Sequence, residues 1–554
     1  MTIDLRPSRA DALAALSMAG LLLPEAVAYS SIAGLPPQAG VIGLLVGLLT
    51  YGITGSSRFA IVSATSSSAA VLASAMNSVL HVSTDAQHMM GLAMVLLAGI
   101  YFIFAGLARM GSISNFIAKP VLTGFSLGLA LTIAIKQLPN AVGVHPVHSD
   151  IFRFSYKLLQ QWPQWNLAGL AMLVAALVLL RLLRRWPLVP AALLVIVIGI
   201  ALDATGYCAR WGIAPVGAMQ LGFSHPSLPS LAFVEWLRVG QLAAALALIL
   251  YAESYGSIRN FAVRHGDTVQ SNRDLMALGL SNVVSSLFQG MPVGAGYSAT
   301  SANEVAGAQS KAAGLLTAAL IALLLWLCLP WIEKIPEPLL AAIVMFAVSH
   351  TLSLKGVRPY FQWRRDRMLV VLAVLAVLVF GVLDGLLVSM GVSILLLLRD
   401  YAQPRLSWLA RLPGSHDFVD VAHYANAEQP AGILIARPAE PLFFGNAEPT
   451  LGLMARRVVD QKQATDAAPL HTLVLSLEAT SDLDGTTIIA LSEFATLLEK
   501  QQVRLVIARA RNRVREVLER AQIPQLSADA YAAFSVDDAV TAALAAQASA
   551  AKAA

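Results

Sequence analysis

A chain of 554 residues that is 57% hydrophobic and only 13% charged is not built as one soluble globule, which would have to expose large apolar patches. Its formal net charge of +5 is spread over basic residues that stand singly or in small groups between apolar stretches, and this argues against nucleic-acid binding. The two cysteines, Cys208 and Cys328, have neither metal-site nor disulfide spacing, so they receive no role.

In chain order, Arg6 and Arg9 precede a first apolar run. Asp4 and Asp11 interrupt it and further apolar runs follow, so it reads as a retained first helix rather than a cleaved leader. Uncharged stretches continue from about Ala12 to Leu398. With about 20 apolar residues taken as a full span, roughly fourteen segments begin near residues 11, 41, 64, 89, 117, 167, 187, 238, 273, 299, 312, 338, 368 and 385. If the N-terminus is cytoplasmic, alternate loops on that side carry Arg58, Arg109 and Lys119, then Arg181, Arg184 and Arg185. The same side receives Arg259, Arg264, Arg273, Lys355, Arg358, Arg364, Arg365, Arg367 and Arg399, against only Arg153, Lys157, Arg210 and Lys334 opposite. The bias places both termini in the cytoplasm of a multi-pass inner-membrane protein. His145, His148 and His225 fall in the opposite loops and read as solvated side chains, not metal ligands.

Two segments are short and polar: FAIVSATSSS at Phe59 to Ser68, and GAGYSATSANEVAG at Gly294 to Gly307. One is third of the first seven and the other third of the second seven. That is the pattern of a 7+7 inverted repeat with two half-helices. A half-helix that begins inside the membrane turns unpaired N–H groups and its positive end inward, and two facing each other form an anion site. Single Ser and Thr residues there can also merely bond back to the preceding turn.

Ionisable residues deep in apolar segments call for a partner or a function. Glu253 lies on the eighth segment, with Ser257 one turn on, and Glu25 follows Pro24 on the first. Either carboxyl can take up a proton or bind Na⁺, and Glu253 can alternatively bond Ser257. Lys136 sits near a segment end, where it can snorkel. Asp384 sits between the last two segments.

Beyond Arg399 the composition becomes that of a soluble domain. The expected division is a transmembrane domain over 1–401, a linker over 402–417, an α/β domain over 418–545 and a frayed Ala-rich tail over 546–554. Strands are expected at Gly432 to Ala436, Leu473 to Leu477 and Val503 to Ala508, and helices at Asn446 to Lys462, Thr486 to Lys500 and Asn512 to Arg520. No phosphate loop, nucleophile elbow or metal cluster appears there, so an enzyme is not expected.

PEAVAYSSIAGLPP at Pro24 to Pro37 and GLSNVVSSLFQGMPVGAGYSATSAN at Gly279 to Asn303 resemble the first-helix and tenth-helix stretches of the sulfate permease (SulP) family of anion transporters. PLFFGNAE at Pro441 to Glu448 and LSLEATSDLDGTT at Leu475 to Thr487 are similar to that family's C-terminal sulfate-transporter and anti-sigma-antagonist (STAS) domain. The resemblance implies a homodimer in which a core bundle moves against a gate bundle, in elevator fashion, with the anion between the third and tenth half-helices. Carried over by position, the pocket comprises Glu25, Tyr29, Thr65, Ser66, Ser298, Ala299 and Thr300, with Glu253 as the eighth-helix acid. Ala299 stands where many members have arginine, and Glu25 where glutamine is usual. The departures make the pocket less positive by about one or two charges. They favour proton- or Na⁺-coupled symport of an inorganic oxyanion (sulfate or bicarbonate) or a carboxylate, with chloride/bicarbonate exchange as the alternative. In the STAS stretch Asp484 is followed by Gly485, not by a phosphorylatable serine, so a structural or partner-docking role is expected. Two rivals remain: a nucleobase-type carrier, which the STAS-like stretch opposes, and a membrane-anchored signalling scaffold, which the retained Glu253 opposes.

Overall fold

The computed structural model describes residues 8–77, 84–111, 118–144, 146, 151–183, 185–186, 191–216, 226, 228–349, 352, 356–463 and 469–553. His145, His148, His225, Arg6, Asp4, Arg184 and Lys355 lie outside them, as does the side chain of Cys328. The chain forms two compact units, Met1–Ser393 and Ile394–Ala554.

The first unit is helical. α1 (Arg9–Ala33) opens on a capping box in which Ser8 and Asp11 satisfy each other's backbone N–H groups, and it closes at Gly34 in the left-handed region. α2 (Pro37–Thr54) begins with proline in its first turn, where the missing N–H costs nothing. α3 (Ser66–Asn77), α4 (Thr84–Leu107), α5 (Lys119–Val142), α6 (Leu167–Leu183) and α7 (Ala191–Ala204) complete the first seven segments. α8 (Phe233–His265), α9 (Ser271–Leu287), α10 (Tyr297–Val305), α11 (Ala312–Ile332), α12 (Glu337–Ser349), α13 (Arg367–Phe380) and α14 (Val382–Ala402) form the second seven. These fourteen match the expected segments in place, and the described residues add three short helices, Ile151–Gln160, Tyr207–Arg210 and Arg358–Gln362. Among the described residues six helices are long and apolar enough to cross a membrane singly, while α3 and α10 have only 12 and 9 residues.

The helices sort into two packed groups. α4 packs on α8 and α9, and α1 on α2, α3 and α11, whereas α5 packs on α12 and α13, and α6 on α12. Glycines set the closest approaches. A Cβ at Gly40 of α2 would stand 2.0 Å from the Ala26 carbonyl oxygen of α1, and one at Gly47 would stand 2.5 Å from the Val62 carbonyl. Such small-residue seams let helix backbones touch where lipid supplies no hydrophobic drive.

Two three-residue strands precede the half-helices, and the periodicity did not announce them. β1 (Val62–Ala64) and β2 (Val293–Ala295) pair antiparallel, with Val62 opposite Ala295, Ser63 opposite Gly294 and Ala64 opposite Val293.

In the second unit β3 (Leu406–Arg411), β4 (Phe418–Asp420), β5 (Ile433–Pro438), β6 (Thr472–Ser476) and β7 (Arg504–Ala508) form one sheet in the order β4-β3-β5-β6-β7, parallel across β5, β6 and β7. α15 (Ala447–Gln463), α16 (Gly485–Lys500) and α17 (Asn512–Ala521) cover one face, where Met454, Phe494 and Val514 meet Leu434, Leu473 and Leu505. α18 (Val536–Ala553) covers the other, packing Val536 and Val540 on Ile433, Ile435 and Val474. The strand side chains alternate between the two faces as a doubly covered sheet requires.

Two expectations are corrected. The stretch expected as a linker contains β3, whose Leu409 is buried and whose backbone pairs with both β4 and β5. The expected frayed tail is the end of α18, because an alanine-rich run is the best helix former once a packed turn such as Val536–Ala543 has nucleated it.

The Gly40 seam is testable by thermal unfolding of the purified chain. Gly40→Ala forces α1 and α2 apart and should destabilise by about 1–3 kcal/mol. Gly256→Ala, whose added carbon meets nothing within 4 Å, should be neutral or stabilise by about 0.5–1 kcal/mol.

Candidate anion site

The strand pair fixes where the half-helices start. Thr65 follows β1 directly and caps α3: its hydroxyl accepts from the Ser68 N–H at 3.1 Å, while the Ser68 hydroxyl accepts from the Thr65 N–H at 3.1 Å. This is a capping box with serine in the glutamate position. On the other side Gly296 precedes α10 and offers no side-chain cap, so the first N–H groups of α10 are open to a ligand. The two starts are adjacent, because a Cβ on Gly296 would lie 3.1 Å from Cγ2 of Thr65. Positive helix ends therefore meet at one place.

Side chains from α8 and α9 hold the crossing. The Ala295 N–H donates to the Ser254 hydroxyl at 2.9 Å, and the Val293 N–H donates to Asn282 Oδ1 at 3.0 Å, with Asn282 Nδ2 returning a bond to the Val293 carbonyl at 2.9 Å. Asn303 Nδ2 on α10 donates to the Phe59 carbonyl ahead of β1 at 3.0 Å. Every three-residue strand needs such support, since its own ladder is too short to persist.

Glu253 of α8 reaches this point. The Ser67 hydroxyl donates to its Oε2, and the Thr65 hydroxyl lies 3.4 Å from the same oxygen. Ser257, expected as its partner, is 1% exposed and its hydroxyl has no bond among the described residues. The partner is instead on α3, because the helix carries Glu253 toward the half-helix start and leaves Ser257 one turn further along. Glu25 and Tyr29 of α1 are each 5% exposed, and Tyr29 lies within electrostatic reach of both Glu25 and Glu253. Among the described residues no hydrogen bond reaches the Glu25 carboxyl, and no lysine or arginine acts on either carboxyl.

The remaining expected residues separate by role. Ser66 is half-buried at the first position of α3. Ser298 is exposed near the start of α10 and Ala299 is buried beside it. Thr300 is fully buried, and its hydroxyl accepts from the Ile61 N–H at 3.4 Å, which ties α10 to the entry of β1. Sequence reasoning did not single out Ser67, Ser68, Ser254 or Asn282. The serine run from 66 to 68 was visible, but which hydroxyl would meet Glu253 depends on a contact across 186 residues.

The site predicts its own strain. Thr65→Val keeps the shape but removes the cap and one Glu253 neighbour, and thermal unfolding should report a loss of about 1 kcal/mol. Thr65→Ser should stay close to the parent, and equal stability of the valine variant would remove Thr65 from this role.

The model of the sulfate permease family matches residues 9–374, and the STAS domain model matches residues 424–533. A protein of Mycobacterium tuberculosis named probable sulfate transporter is 30% identical over 93% of this chain and 91% of its own length. Probable sulfate transporter 3.3 of Arabidopsis thaliana is 25% identical over 93% of this chain and 84% of its own. Among solved structures, the murine solute carrier 26 family member A9 anion transporter in the inward-facing state superposes with a TM-score of 0.87 at 22% identity, over 98% of this chain and 92% of that one. The transmembrane domain of a cyanobacterial bicarbonate transporter gives 0.61 at 20% identity, over 71% of this chain and 98% of that one.

Proposed function

The chain belongs to the sulfate permease family of anion transporters, and on that premise we propose that it is a cation-coupled symporter of an inorganic oxyanion, sulfate in the first instance. The observation that carries this reading is the carboxylate of Glu253 bonded to the α3 start by Ser67, with no lysine or arginine acting on it among the described residues. A helix end stabilises an anion by about 0.3–1 kcal/mol, up to ~2 in favourable partly buried geometry. Two ends together fall short of the several kcal/mol per ion that burial costs. A negative carboxylate beside them deepens the deficit. A proton or Na⁺ on Glu253, with Glu25 as a second acceptor, removes the repulsion and frees the Ser67 hydroxyl to face the anion. Substrate and cation then enter together, and neither enters alone without cost.

Ser66, Ser298, Thr65 and Tyr29 would surround the anion, while Ala299 leaves space rather than charge. The antiparallel β1–β2 pairing supports a two-fold relation between the seven-helix halves. Because both half-helices belong to the group packed around α1, α4 and α8, that group can carry the anion against the α5–α12–α13 group in an elevator-like step. We assign a homodimer in the plasma (inner) membrane with both termini cytoplasmic, in keeping with the basic loops. The STAS domain is given a structural or partner-docking role. Asp484 supports this, since its carboxylate caps α16 by accepting from the Thr487 N–H at 2.9 Å and holds the preceding loop by accepting from the Phe444 N–H at 2.8 Å.

Uptake of radiolabelled sulfate by proteoliposomes tests the proposal. An inward proton or Na⁺ gradient should accelerate uptake, and Glu253→Gln should remove that acceleration while the variant keeps the parent's thermal stability. Uptake that responds only to a counter-anion inside the vesicle would assign exchange instead. Undiminished coupling in the variant would take Glu253 out of the mechanism.

A further inference from the structure

A basic cavity lies on the far side of α8 from Glu253. At 100° per residue, Tyr255, Arg259 and Ala262 fall on a face turned away from Glu253 and Ser257, and this face lines a cavity of about 490 Å³. Its other walls are Arg109 beyond the end of α4 and Ser271 and Asn272 at the start of α9. The volume is that of a small-molecule pocket.

The lining suits anionic oxygen. Arg109 and Arg259 are both exposed. Asp267, the acidic residue on the wall, is neutralised by Arg58, whose Nε stands 2.6 Å from Oδ2. Asn272 uses Oδ1 to accept the Gly111 N–H at 2.9 Å, and the Tyr255 and Ser271 hydroxyls lie 2.6 Å apart. These bonds hold polar groups on the wall of the cavity that Arg109 and Arg259 also line.

Arg109 is held there against backbone preference. It ends α4 with φ +57°, in a closing turn where its N–H donates to the Gly106 carbonyl and the Met110 N–H to the Ala105 carbonyl. Glycine or asparagine is the usual occupant of such a position. A charged side chain in that conformation points to a use for the charge. The rim also carries Val263, 74% exposed, so apolar surface adjoins the arginines. The same end of the bundle holds Arg58, Arg264 and Arg273.

We propose that this cavity between α4, α8 and α9 binds the phosphate headgroup of an anionic phospholipid, with Arg109 and Arg259 on the phosphate and Val263 against the acyl chain. Basic pockets between spanning helices at a membrane face have this chemistry. The site is separate from the anion path, so transport and lipid binding can be tested independently.

The test is thermal unfolding of the delipidated full chain in detergent, titrated with phosphatidylglycerol, phosphatidylcholine or inorganic phosphate. Phosphatidylglycerol should raise the midpoint saturably, and the other two should not. Arg109→Asn, which suits the left-handed backbone and keeps the turn, combined with Arg259→Gln, should leave the lipid-free midpoint close to the parent and weaken the phosphatidylglycerol response about tenfold or more. An undiminished response in the double variant would overturn the site, and an equal response to inorganic phosphate would overturn the lipid as its ligand. Should the double variant unfold in detergent, Arg109→Asn alone carries the same comparison.

Discussion

Everything at the centre of this molecule depends on a pair of strands only three residues long. By pairing antiparallel, β1 and β2 bring the starts of α3 and α10 to one point and aim both helix ends inward. Left to itself so short a ladder would melt, and the neighbours prevent it: Ser254 and Asn282 hold β2, Asn303 holds the approach to β1, and Gly296 lets Thr65 come close. Polar side chains that look incidental in an apolar sequence thus do the work of a longer sheet.

The second constraint is electrostatic. Facing helix ends favour an anion, yet among the described residues no lysine or arginine acts at this point, where Glu253 adds a carboxyl. In the proposed coupling, partial charges on backbone groups and a full negative charge nearby largely offset one another, so that occupancy of the carboxyl by a cation would decide whether the anion binds. On that proposal a single half-buried acid would convert a passive anion site into a coupled one. Ser67 would link the two proposed events, because the single proton of its hydroxyl can be donated to the carboxylate or to the anion but not to both at once.

Twelve of the fourteen helices were legible as apolar stretches in the sequence, and the two half-helices because SATSSS and GYSATSAN break that otherwise apolar pattern. The α/β domain was legible in its three parallel strands, each a run of five or six mostly apolar residues. Three kinds of feature were not. β1 and β2 are too short for a period to show. β3 follows the last span immediately and reads as linker until its partners β4 and β5 are known. The partner of Glu253 is the plainest case: local spacing offered Ser257, whereas Ser67 lies in another half of the membrane domain. Sequence neighbours are known in advance, and neighbours created by the fold are not.

The central claim, that the anion lies between the two helix starts, is best tested by locating a heavy oxyanion in an experimentally determined structure. With selenate in place of sulfate, anomalous density should fall between the backbone N–H groups at the start of α10 and the hydroxyls of Thr65, Ser66 and Ser67, within hydrogen-bonding distance of both. Density confined to another part of the protein, with this position empty at saturating selenate, would contradict the account.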